Sequence, residues 1–214
     1  MTNNSDSLRV AAIACIVGAV ATVIGAVLVQ GVVQPATSVP DDRWSYPWSS
    51  AALVPISLVW ASLHVLVFVG VFAFGRSGLA GRSFGARVGV PLALAGTALL
   101  FVSELASIPV RNEHTDDAGA TVVGAMFGLA TLLTAAGFLG AGIATLRAGR
   151  WDGWGRYTPL AVGVAAVVLL GIGFTHALPS GVGAYGLCLL AFGVALYAQA
   201  TQRVPRSVAL GEAG

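Results

Sequence analysis

Lysine is absent from the 214 residues; all eleven basic residues are arginine. That absence excludes a retinal-type Schiff base and a lysine nucleophile. It also excludes a GxxxxGK[ST] phosphate cradle, so the Gly-rich stretch GRSGLAGRSFG is not one. Charge of either sign is scarce, 9% of the chain, against about 25% in an average soluble domain. With a net charge of +2 and no cluster of four basic residues, nucleic acid is not a partner. Cysteine is limited to Cys15 and Cys188, which form no CxxC pair and lie in different apolar runs, so redox and zinc chemistry have no ligand set. No H-E-x-x-H motif and no paired carboxylates occur, and no metal site or recognisable cofactor motif is expected.

What the chain has instead is apolar length. Hydrophobic residues make up 57% of it, and six runs are each long enough to cross a hydrocarbon core of about 30 Å. The runs are apolar on every face, where a membrane barrel needs segments of about ten residues that alternate. The expected fold is therefore an all-α membrane protein, a six-transmembrane-helix bundle. It forms a single domain over residues 1–206, with spans near 10–33, 51–75, 88–108, 118–146, 158–178 and 181–200, and a disordered tail at 207–214. The first run, Val10 to Val29, exceeds a signal-peptide core of about 7–15 residues and reads as a retained helix.

Arginine placement sets the expected orientation. Arg9, Arg76, Arg82, Arg87, Arg147, Arg150, Arg156, Arg203 and Arg206 fall at the N-terminus, the second and fourth connections and the C-terminus, whereas the other side holds only Arg43 and Arg111. Basic loops stay cytoplasmic, so both termini are expected there, which agrees with an even number of spans. All-arginine, Ala/Val/Gly-rich usage points to the plasma membrane of a bacterium. The longest polar connection, QPATSVPDDRWSYPWSS, carries Trp44, Tyr46 and Trp48 within five residues. Such aromatics either rest at the headgroup level or form an outer lid over a binding site.

Glu104 is the only acidic residue inside any of the six runs. An ionisable group at membrane depth is costly unless it is paired or reaches water, which makes it a functional candidate by default. Helical spacing puts Thr97, Glu104 and Ser107 on one stripe of the third helix, and Ser57, Ala61 and His64 on one stripe of the second. At about 1.5 Å per residue Glu104 lies roughly 7 Å below the outer end, with His64 near the midplane and His176 shallow. Two readings stand. In one, Glu104 accepts a proton or cation with the imidazole of His64 beneath it. In the other it snorkels to the interface or bonds His176 or Arg111, while the hydroxyls bond back to their own helices.

The remaining candidates fall to geometry or to simpler roles. A haem held by His64 and His176 would need both at one depth, and they differ by roughly 15 Å at 1.5 Å per residue. His114, beside Glu113, Asp116 and Asp117, sits in an acidic loop that reads as solvated rather than metal-binding. Cys15 and Cys188 differ in depth by more than the Cα limit of about 7 Å for a disulfide. Gly124, Gly128, Gly137 and Gly140 let helices approach closely, within one chain or between chains. The joins FGRSGLAGRSFGARVGVPLALAG and ATLRAGRWDGWGRYTPLAVG share an Arg-Gly-rich turn before a Pro-Leu-Ala helix start, which fits either a duplication or convergent loop chemistry. In outline the six helices resemble rhomboid intramembrane proteases. Yet no serine lies between Ala118 and Leu146 and no histidine in the sixth helix, so both catalytic positions of that family are missing.

Three functions fit this sequence: a small transporter or ion-coupled permease with Glu104 as its protonatable group, an accessory or scaffold subunit assembling through its Gly-rich faces, and an outer-leaflet enzyme or cofactor binder pairing Glu104 with His176. The bilayer is the partner common to all three; self-association or a partner subunit belongs to the second.

Overall fold

The computed structural model describes residues 4–173 and 175–211. Among the described residues the chain is helix and turn, with only an isolated bridge between Arg43 and His114. Helix α1 (Asn4–Leu28) is prolonged by a π turn, Val29–Val33, and a last short turn, Gln34–Ala36. Then come α2 (Ser50–Ser77), α3 (Phe84–Ser107), α4 (Ala118–Ala148), α5 (Thr158–Ile172, preceded by a 3-10 turn at Gly153–Tyr157) and α6 (Leu178–Gly211). All six are long and apolar enough to cross a membrane, α5 by way of its leading turn, which extends the span to 20 residues.

Local chemistry sets the boundaries. Ser49 caps α2 by accepting from the Ala52 N–H at 3.3 Å, and Ser83 caps α3 through Ala86 at 3.4 Å. The cap of α4 is not the adjacent Asp117 but Glu113, whose Oε2 accepts from the Ala120 N–H at 2.8 Å. Helices α2 and α4 both stop on a left-handed glycine, Gly78 (φ 75°) and Gly149 (φ 59°), a conformation only glycine adopts without strain. After each stop an apolar residue, Leu79 or Trp151, tucks back into the core. The two joins that look alike in sequence therefore share a turn chemistry.

Two expected boundaries are corrected. The fifth helix ends at Ile172 rather than 178, because Gly171 and Gly173 weaken it; a turn at 175–177 leads into α6 at Leu178–Pro179. The sixth helix continues to Gly211, past the expected end near 200, while the part long and apolar enough to span a membrane ends at Gln202. The last part of the expected tail, 212–214, lies outside the described residues.

Each helix packs antiparallel against its sequence neighbour, and α6 packs back against α1, so the six form a closed ring with both termini at one end. The α3–α4 seam is the tightest. Gly89 and Gly96 on α3 meet the backbones of Ala141 and Thr134, and Gly137 on α4 meets the backbone of Ala93, so a Cβ at any of the three would collide with main chain. The glycines at Gly137 and Gly140 are thus used inside the chain. Outward, Val17, Ile24, Leu58, Val102, Leu132 and Val168 are among the exposed apolar side chains of a continuous belt, the surface that lipid covers. Inside, at the arginine-rich end, Phe192 meets Phe74, Phe138 and Trp151 edge-on at centroid distances of 5.4, 5.7 and 6.4 Å, and these rings fill the bundle there.

Candidate functional site

On α2, Ser57 and Ala61 are buried in line with His64, and the exposed Pro55, Val59 and Ser62 lie on the opposite side. On α3, Thr97 and Ser107 are buried in line with Glu104, opposite the exposed Val88 and Val102. Both ionisable residues thus face the interior of the ring. His64 Nε2 lies 3.6 Å from Glu104 Oε1, with side-chain exposures of 19% and 16%. This separation suits an ion pair and is longer than a hydrogen bond.

Rise per residue alone leaves His64 and Glu104 roughly 10 Å apart in depth. The structure closes that gap because Cα–Cβ bonds tilt toward a helix's N-terminus. In the antiparallel α2–α3 pair His64 leans toward the arginine-poor end and Glu104 leans away from it, so the two tips converge.

The other expected stripe members are engaged locally. Thr97 Oγ1 donates to the Ala93 carbonyl at 2.8 Å and Ser107 Oγ to the Ser103 carbonyl at 3.1 Å. Each hydroxyl has given up its one proton and can only accept from anything else in the ring. Neither alternative partner reaches Glu104: Arg111 donates to the Ile108 carbonyl at 2.9 Å, and His176 is brought elsewhere. It sits 73% exposed in the α5–α6 turn, its Nε2 3.9 Å from Asp41 Oδ2 and its ring edge-on to Tyr46 at 6.2 Å. The acid–base pairing of Glu104 with His176 is not what the fold assembles.

The connection between α1 and α2 is tied down on several sides. The Trp44 N–H donates to the Glu113 carbonyl at 3.1 Å and the Thr115 N–H to the Asp42 carbonyl at 2.8 Å, flanking the Arg43–His114 bridge. Arg43 donates to the Asn112 carbonyl at 3.0 Å, and His114 Nδ1 lies 3.0 Å from Asp42 Oδ2. Trp44 lies over Gly124 and against Phe127 of α4, 6.5 Å between ring centroids. On the far side Asp41 and Tyr46 meet His176. Trp48 is half-buried in the same segment and donates its N–H to the Ser45 carbonyl at 2.7 Å. Anchored to α1 and α2 at its ends and touching α4, the α3–α4 loop and the α5–α6 turn, the segment lies across one mouth of the ring. Below Trp44, Gly128 faces open space.

The sequence reading missed the pairing of Asp42 with His114 and of Asp41 with His176. The signal for the first was a histidine in EHTDD facing DD across distant loops; the second had none. Among the described residues no three His, Cys, Asp or Glu are placed to hold a metal ion. The acidic loop is instead tied up structurally, with Asp117 Oδ2 accepting from the His114 N–H at 2.8 Å and Glu113 capping α4. Both cysteines are free, Cys15 buried against the Leu189 carbonyl. A groove of about 550 Å³ is apolar and runs along Leu160, Val164 and Val168 of α5 and Ala184 and Cys188 of α6, and neither His64 nor Glu104 lines it. The chain matches no known protein family, no curated protein and no solved structure.

Proposed function

We propose that this chain is a small ion-coupled permease of a bacterial plasma membrane, its termini cytoplasmic, with His64 and Glu104 forming the protonatable site. The observation that carries the reading is the 3.6 Å approach of a carboxylate and an imidazole inside a ring whose outer surface is apolar. A carboxylate at membrane depth is a group that transport proteins use to couple proton or cation movement to a solute. Access is from the arginine-poor end, beneath the segment holding Trp44, Tyr46 and Trp48. The aromatic fill around Phe192 closes the opposite half, as one closed face of an alternating-access cycle requires.

The scaffold reading draws on Gly124, Gly128, Gly137 and Gly140; Gly137 and Gly140 pack against α3 within the chain, whereas Gly128 has nothing within 4 Å. The test is proton movement in reconstituted vesicles loaded with a pH-sensitive dye. Small solutes of each class (amino acids, carboxylates, phosphate, alkali cations) are added outside in turn. At least one should trigger proton uptake in the wild type and not in Glu104→Gln. If none does, or if Glu104→Gln behaves as wild type, the reading fails.

A further inference from the structure

A second polar feature lies at the arginine-poor end, independent of the His64–Glu104 pair. A cavity of about 320 Å³ opens between the α1–α2 connection and the α3–α4 loop; Arg43, Ser45, Ser49, Ser50 and Asn112 supply its polar lining, and Val39 and Pro40 wall the remaining side. No carboxylate lines it. The acids nearby are turned to other tasks: Asp41 and Asp42 to His176 and His114, Glu113 to the α4 cap, Asp117 to the His114 N–H.

We infer that this cavity binds an oxyanion, a phosphate or carboxylate group. Arg43 is half-buried, and among the described residues its guanidinium makes one hydrogen bond, to the Asn112 carbonyl. Four of its five N–H donors remain for a ligand. Ser45 is only 2% exposed and lines the cavity, where its hydroxyl is placed to donate to a ligand. Ser49 and Ser50 bring the N-terminus of the 28-residue α2 to the same wall, with Ser49 occupied by the Ala52 N–H and Ser50 Oγ by the Arg111 carbonyl. The first N–H groups of α2 and its dipole favour negative charge there.

Nine of the eleven arginines lie at the other end of the ring or in the helix extension beyond it, and the two that do not are Arg43, in the cavity wall, and Arg111, whose carbonyl holds Ser50. Bidentate contact from a guanidinium, a hydroxyl donor and a helix N-terminus together suit a planar or tetrahedral oxyanion better than a cation or a neutral solute. The oxyanion can come as a free solute or as the headgroup of a phospholipid in the facing leaflet.

Calorimetric titration of inorganic phosphate into the purified full chain in zwitterionic lipid discs, at constant ionic strength, tests the free-solute source. Native mass spectrometry from anionic lipid discs tests the headgroup. Saturable phosphate binding, weakened about tenfold or more in Arg43→Gln and several-fold in Ser45→Ala, supports a free anion. A phospholipid retained by the wild type and lost from both variants supports the headgroup. Ser45→Ala leaves the Arg43–Asn112 link in place, so it still reads the site should Arg43→Gln loosen the loop. If neither ligand binds, or if both variants bind as the wild type does, the assignment is overturned. Glu104→Gln should leave this binding unchanged, so its failure and that of the permease reading are distinguishable.

Discussion

Glu104 Oε1 lies 3.6 Å from His64 Nε2, while Arg111 and His176, the other basic groups weighed for Glu104, are turned to the Ile108 carbonyl and to Asp41. Removing the imidazole leaves a carboxylate inside the ring without a counter-charge. Removing the carboxylate leaves a histidine that can stay neutral. His64→Leu should therefore destabilise the protein by more than Glu104→Gln does, by about 1–3 kcal/mol, and the double variant should recover part of the loss. Thermal unfolding of the three variants in lipid discs gives the coupling; additive effects would mean that the pair is not interacting.

Gly137 and Gly128 sit on the same helix and should respond in opposite ways. A Cβ at Gly137 meets the Ala93 backbone, whereas at Gly128 nothing lies within 4 Å. Gly137→Val should force α3 and α4 apart and cost about 2 kcal/mol or more, while Gly128→Ala should stay within about 0.5 kcal/mol of wild type. Retention of the monomer peak and melting temperature reads both; equal tolerance would place the α3–α4 seam elsewhere.

The segment over the ring mouth is held by two His–Asp contacts, His114 with Asp42 and His176 with Asp41, besides its backbone bonds to the α3–α4 loop. Because His176 lacks the backbone bridge that supports His114, the Tyr46 side of the segment depends more on its side-chain contact than the Trp44 side does. In Asp41→Asn the backbone around Asp41 and Tyr46 should lose protection against hydrogen exchange while that at Trp44 keeps it; an unaltered profile would remove the His176 contact from the account.

Much of this fold was legible because apolar length is a signal that survives any packing. The six spans and their antiparallel order follow from run length, and helical period sets Glu104 in line with Thr97 and His64 in line with Ser57. What the sequence concealed were relations that depend on direction. Axial counting placed Glu104 above His64, and only the opposite tilt of side chains on antiparallel helices brings their tips together. His176 looked like a member of a helix because the run continues past it, but Gly171 and Gly173 end α5 early and leave it in a turn against Asp41. Arg43 and Ser45 carried no sign at all, since their cavity forms only where two loops distant in sequence meet.

The closure of α6 on α1 has a consequence for how the protein is made. Ala12, Ala19 and Ala26 of α1 are buried, and Gly183, Gly186 and Gly193 of α6 pack against this helix. During synthesis the first helix enters the bilayer long before its neighbour on that side exists. Until the last helix arrives, a groove of small residues beside Thr22 stands open to lipid. The ring therefore cannot be completed progressively; the seam between the oldest and the newest segments of the nascent chain is the final one to form.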